Sequence, residues 1–114
     1  MKPFPEDHEL ISAFESEPEI LDPDVPWYYN ALTFRGEREG IRYRIQINPA
    51  NGEIGIELSN SSQTISTLQI DGVTEMTAQY NKAESLLIAS FDEDDQRRLL
   101  KIRLKPHIAI EWAG

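Results

Sequence analysis

With 114 residues and 13.1 kDa, the chain has room for one hydrophobic core and no second domain; surface scaling gives roughly 6,400 Å² folded against about 19,000 Å² unfolded. It contains no cysteine, which excludes disulfides, thiolate chemistry and cysteine-ligated zinc and suits a reducing compartment. Its formal charge of −9, from 20 acidic and 11 basic residues, argues against nucleic acid and anionic membrane as partners, because Lys and Arg neutralising phosphates supply most of that affinity.

The opening Met-Lys-Pro-Phe-Pro-Glu-Asp has no apolar core of a signal peptide, and no window approaches a membrane-spanning run, so a cytoplasmic location is expected. Residues 5–16 read as a short helix. Pro5 suits a first helical position, Glu6, Asp7 and Glu9 favour the positive end of the dipole, and Leu10, Ile11 and Phe14 make an apolar stripe. Pro18 is expected to stop it, and an acidic, proline-punctuated connection over 17–27 then delivers Trp27, Tyr28 and Tyr29 to a first strand. The charge is uneven: residues 3–34 carry eight acids and no Lys or Arg, whereas residues 35–114 hold twelve acids against ten bases.

From 28 to 112 the pattern is that of antiparallel strands. Ile41, Tyr43, Ile45 and Ile47 alternate with Arg42, Arg44 and Gln46, the period of a strand with one face in a core. On the side before it, pairing Phe34 with Ile41 puts Leu32 opposite Tyr43 and Asn30 opposite Ile45, leaving Gly36–Glu39 as a turn with Gly40 free for a positive φ. On the side after it, pairing Ile47 with Ile54 sets Ile45 against Ile56, Tyr43 against Leu58 and Arg44 against Glu57, around the loop Pro49-Ala50-Asn51-Gly52. Beyond Ser59, strands are expected at 64–70 and 73–80, joined as a hairpin at Asp71-Gly72. Residues 85–91 are apolar on both faces, as a central strand would be, and 98–104 alternates again. After Pro106, residues 107–112 form a last strand, the proline marking an edge or a bend. The fold class is mainly β (α+β): seven or eight antiparallel strands in a meander, as a curved sheet, small sandwich or half-open barrel, with one short N-terminal helix, all in a single domain 1–114.

Motifs for chemistry are missing. His8 and His107 lie at opposite ends of the sequence without spaced ligand partners, and Asp92-Glu93-Asp94-Asp95 lacks the glycine and distal Glu of a calcium loop, so no metal or cofactor is expected. No serine sits in a nucleophile elbow and no glycine-rich phosphate loop exists, so no catalytic residue is assigned. The basic set Arg97, Arg98, Lys101, Arg103 and Lys105 alternates with leucines and balances the acidic tip or the helix.

In short length, acidity, lack of cysteine, helix-plus-meander layout and the closing stretch Arg103-Leu-Lys-Pro-His-Ile-Ala-Ile-Glu-Trp112, the chain resembles the small acidic immunity proteins of bacterial polymorphic and contact-delivered toxin systems. The resemblance implies a binding protein that occludes a basic toxin; the missing motifs make it non-catalytic, and a monomer or weak homodimer is expected. Two other readings stand beside it: a small cytoplasmic structural or assembly domain whose acidity confers solubility, and an enzyme or small-molecule binder using a concave sheet face. The candidate partner-binding residues are Asp22, Asp24 and Trp27 in the connection and Asp92, Glu93, Asp94 and Asp95 in the tip, where focused negative charge would steer a basic protein.

Overall fold

The computed structural model describes residues 4–61, 63–93 and 96–113. Among these, the order is α1 (Asp7–Phe14), β1 (Glu19–Ile20), a 3-10 turn at Trp27–Tyr29, β2 (Leu32–Arg38), β3 (Ile41–Asn48), β4 (Glu53–Ser59), β5 (Thr64–Ile70), β6 (Val73–Tyr80), β7 (Ser85–Glu93), β8 (Gln96–Lys105) and β9 (Ala109–Ala113). Consecutive strands pair antiparallel into two open sheets, β1-β2-β3-β4-β5 and β6-β7-β8-β9. Of the expected shapes it is thus the open sandwich, neither a single curved sheet nor a barrel. One continuous core joins Phe34, Ile45, Ile47, Ile54 and Ile56 of the first sheet to Met76, Leu87, Leu100, Ile102 and Leu104 of the second.

The helix is wedged between the sheets. Glu6 caps it in an extended conformation, and the Glu9 carboxylate accepts the Glu6 backbone N–H at 3.2 Å. Leu10, Ala13 and Phe14 are buried, with Phe14 stacked on Phe34 and tilted against Tyr43, and α1 packs on β6 and β7. Eight residues cannot hold a helix in water alone, so this packing maintains it. Its stop differs from expectation: the helix ends at Phe14 because Glu15 turns left-handed, at φ 57°, well before Pro18.

Four further expectations are corrected. The connection contains its own two-residue strand, β1, which raises the count to nine. Trp27–Tyr29 forms a 3-10 turn, so the first long strand starts at Leu32, not Tyr28. The β2–β3 ladder runs from Leu32↔Ile47 through Phe34↔Ile45 to Arg38↔Ile41, four residues away from the expected register. Its turn is only Glu39-Gly40, both at positive φ (52° and 81°), the two-residue geometry that matches strand twist. Gly36 therefore stays in the strand, opposite Tyr43, where a Cβ would collide with the tyrosine ring. Finally, Asp71-Gly72 is no hairpin: β5 pairs only with β4 and β6 only with β7, and the Val73 N–H is taken by Gly52 O at 2.9 Å. The positive φ of Gly72, 74°, turns the chain from one sheet to the other. The β3–β4 register, including Arg44↔Glu57, is as expected, β7 lies inside its sheet and β9 at its edge.

The sandwich has two unlike ends. At the turn end, the Glu39-Gly40 turn, the cis Lys105–Pro106 peptide and the C-terminus of α1 converge. At the crossover end lie the β5-to-β6 passage, the loop 49–52, the start of β2 and the close of β7. Along one edge β5 is open, with Thr64–Thr67 exposed on both faces.

Candidate functional site

At the turn end, acids and bases are matched. The Glu15 carboxylate binds Arg38 of β2 at 3.5 Å and, more closely, Lys105 of β8, so one side chain ties the helix terminus to both sheets. The Lys105 hydrogen bond and charge, with Arg38 assisting, hold the Glu15 carboxyl below its ordinary value of 4.5. His107 meets Glu39 at 2.9 Å, Arg103 reaches Glu111 at 3.4 Å, and Lys105 Nζ donates to Asn81 O at 3.3 Å. At the opposite, crossover end, Arg97 pairs with Glu75. Of the basic run of β8, Lys105 thus serves the helix terminus, while Arg97 and Arg103 serve acids of neighbouring strands. Burial also pushes the Tyr43 hydroxyl above its ordinary value.

The crossover end is different in kind. Asp22 and Asp24 are exposed on a turn held by Asn30, whose buried side chain donates to the carbonyls of Asp22 and Val25 and accepts the Asp22 N–H at 3.0 Å. Asp24 N–H is accepted by the Asp22 carboxylate at 3.0 Å, an Asx turn. Trp27 is half-buried against the core and packs on Phe4 at 5.4 Å and edge-on to Tyr28 at 6.4 Å. It is an anchor of its own chain before it is anything else, while Tyr29 beside it stands exposed. Asp92 is exposed at the close of β7, in a depression shared with Gln69, Ile70, Asp71, Phe91 and Trp112. Glu93 ends β7, and Asp94 and Asp95 lie outside the described residues. Topology places Asp22 and Asp24, which flank the start of β2, and Asp92, which follows the Val73↔Phe91 pair, at one end of the sandwich. They sit on separate elements, however, and the Asp92 depression includes none of the connection residues.

Two surfaces were not singled out from the sequence. A cleft of about 140 Å³ opens between α1, the connection and β2, with Asp7 and Glu17 among otherwise apolar lining residues. Its parts are far apart in sequence, so only the register of β1 on β2 brings them together. On the outer face of the first sheet, Arg35, Arg42 and Arg44 share a shallow depression with Glu37 and Glu57. Arg35 stands directly opposite Arg44, and Glu19 relieves it with an ion pair at 2.8 Å. The alternation of β3 showed Arg42 and Arg44 outward, but only the pairing with β2 sets Arg35 beside them. Among the described residues no group of three or more His, Asp or Glu is arranged to hold a metal ion, and no helix is long and apolar enough to cross a membrane.

No protein-family model matches the chain, and no curated protein matches it in sequence. Among solved structures, the fold is similar to a chain of a contact-dependent growth inhibition toxin–immunity protein complex from Klebsiella pneumoniae 342, with a TM-score of 0.80 at 22% identity, over 96% of this chain and 94% of that one. The open two-sheet sandwich with its wedged helix is therefore a fold found, at nearly full length, in a toxin–immunity assembly.

Proposed function

We propose that this chain is an immunity protein that binds a cognate toxin and blocks it without performing catalysis of its own. The observation that carries the reading is the near full-length likeness to a chain of a toxin–immunity complex. Both components of such a complex are candidates by fold, and charge favours the immunity role. A protein at −9 is poorly suited to engage nucleic acid itself and well suited to cover a basic partner. The toxin is read as basic, the complex as cytoplasmic, and the contact surface as the acidic crossover end: Asp22, Asp24 and Trp27 with the Asp92–Asp95 tip. An interface of about 800 Å² per partner is the usual size for such complexes.

The test is co-expression. The chain is produced together with the toxin-like product of the neighbouring reading frame, and growth and co-purification are followed. Restored growth and a stable complex support the proposal. Growth arrest by this chain alone would assign it the toxin's role, and neither protection nor complex formation would return the structural or assembly reading to first place.

A further inference from the structure

The cleft between α1 and the acidic connection has the dimensions and lining of a receptor for a single side chain. Its volume is about 140 Å³. Apolar protein cavities of roughly 150 Å³ take up a group the size of benzene, whereas sites for drug-sized ligands run to about 300–1,000 Å³. The walls are Leu10 and Ile11 of the helix, Ile20 of β1 and Trp27 of the 3-10 turn. Two of these walls are held by their own packing, Leu10 in the core and Trp27 on Phe4, and Asn30 clasps the chain between Ile20 and Trp27. An occupant would therefore meet a formed cavity and avoid the ordering cost of building one.

Among the described residues the lining also carries two carboxylates and no base. Asp7, in the first turn of α1, and Glu17, in the connection, approach from different elements, and both are exposed. One oxygen of Asp7 already accepts the His8 backbone N–H at 2.8 Å, which leaves the other for a ligand. A purely apolar side chain would fill the walls but strip water from two charges without replacing it. A carboxylate would be repelled. A long aliphatic stem ending in a cation satisfies both parts, burying methylenes while its head stays at the rim. Between the two candidates, arginine fits better than lysine. A guanidinium carries five donors in a planar fork and stacks on aromatic rings, which suits a lining that holds two carboxylates and Trp27, whereas an ammonium is a compact point charge.

We propose that this cleft receives an arginine side chain of the toxin, with Asp7 and Glu17 binding the guanidinium and Leu10, Ile11, Ile20 and Trp27 enclosing the stem. The proposal rests on the immunity reading for the source of the arginine but not for the chemistry of the cleft. It adds a pocketed anchor to what would otherwise be an interface of diffuse charge, and arginines in pockets are among the residues that carry most binding energy.

The experiment uses the full chain and a small probe. N-acetyl-arginine amide is titrated while the Trp27 indole N–H and the Ile11 and Ile20 methyls are followed by NMR, with N-acetyl-citrulline amide as the neutral isostere. Trp112, packed edge-on against Phe91 at the crossover end, is the internal control. The expected result is a saturable shift at Trp27, Ile11 and Ile20, a fixed Trp112, and a citrulline response about tenfold weaker or more, as loss of a charged partner at a partly desolvated site predicts. The Asp7→Asn, Glu17→Gln double variant should lower the arginine response to the citrulline level. Equal responses to arginine and citrulline, equal shifts at Trp112, or no shift at all would each overturn the proposal. Protection from the toxin without any arginine response would reject the cleft and leave the immunity role standing; an arginine response without protection would do the reverse.

Discussion

The two ends of the sandwich solve opposite problems with the same residue types. At the turn end, Glu15, Arg38, Lys105, Glu39 and His107 are drawn into contacts that join the helix and two sheets. At the crossover end, Asp22, Asp24, Asp71 and Asp92 are exposed beside the half-buried Trp27 and the exposed Trp112. Net charge alone would not distinguish them. A carboxylate that meets a cation across a sheet boundary is structural, and one that projects from a turn held by other groups, as Asp22 and Asp24 do, is available to something else. Substitutions at the two ends should therefore be separable: stability should respond at one, association at the other.

The largest effect is expected in the core between them, which sets the scale. Ile45 is 1% exposed and paired on both sides, with Phe34 and Ile56. Ile45→Ala should cost about 2–5 kcal/mol in urea unfolding, and a loss under about 1 kcal/mol, well below that range, would mean that the strand is peripheral. Next comes Gly52, at φ 68° with the Val73 carbonyl 2.7 Å from where a Cβ would sit. Gly52→Ala should cost about 1–3 kcal/mol and would show that the crossover end, for all its exposed charge, has a rigid backbone beneath it.

Smaller in energy but sharper for the comparison is charge reversal. Changing Asp92, Asp94 and Asp95 to Lys should slow association with the proposed toxin partner about tenfold or more at low salt, by loss of steering, and leave the melting temperature within a few degrees. Unchanged, salt-independent association would remove the functional distinction between the ends. The smallest effect belongs to the turn end. Glu15→Gln should lower the melting temperature by a few degrees at neutral pH with association unaltered. Because the folded carboxyl titrates below its ordinary value of 4.5, the stabilisation is complete above that value and disappears as the pH falls through the lowered one. The difference between Glu15→Gln and wild type should accordingly shrink in acid; a constant difference would mean that the loss is one of packing rather than charge.

Fold class was legible in the sequence because alternation reports which face a residue occupies, and β3, β4 and β8 alternate cleanly. Alternation constrains parity and not register, however. The expected β2–β3 pairing missed by four residues, an even number, so every inward side chain remained inward and nothing in the pattern objected. What decided the register was the turn. Pro49-Ala50-Asn51-Gly52 offers one compact solution, while Gly36-Glu37-Arg38-Glu39-Gly40 offers two glycines, and the structure uses Gly36 for close approach to Tyr43 and Gly40 for its positive φ. Asp71-Gly72 misled for the same reason: a glycine at positive φ serves a hairpin and a sheet-to-sheet passage equally. At the candidate site, the acidity of residues 3–34 was plain, but the cleft at Asp7 and Glu17 was not, since β1 is two residues long and carries no periodicity at all. Asn30, expected opposite Ile45, instead organises the acidic turn, a role visible only once its partners Asp22 and Val25 are in place.

The open edge at β5 bears on colloidal behaviour. From Asn60 to Ile70 the chain has no charged residue, so the strand that ends the first sheet lacks the lysines, prolines and inward charges with which proteins usually discourage a second copy from extending the ladder. The discouragement must come from elsewhere, and a charge of −9 spread over the rest of the molecule supplies it at long range. Such repulsion is screened by salt and vanishes near the isoelectric point of about 4.6. Solutions of this protein should therefore be most prone to self-association in high salt or mild acid, and a lysine placed at Thr67, on the exposed edge, should restore their clarity without altering the fold.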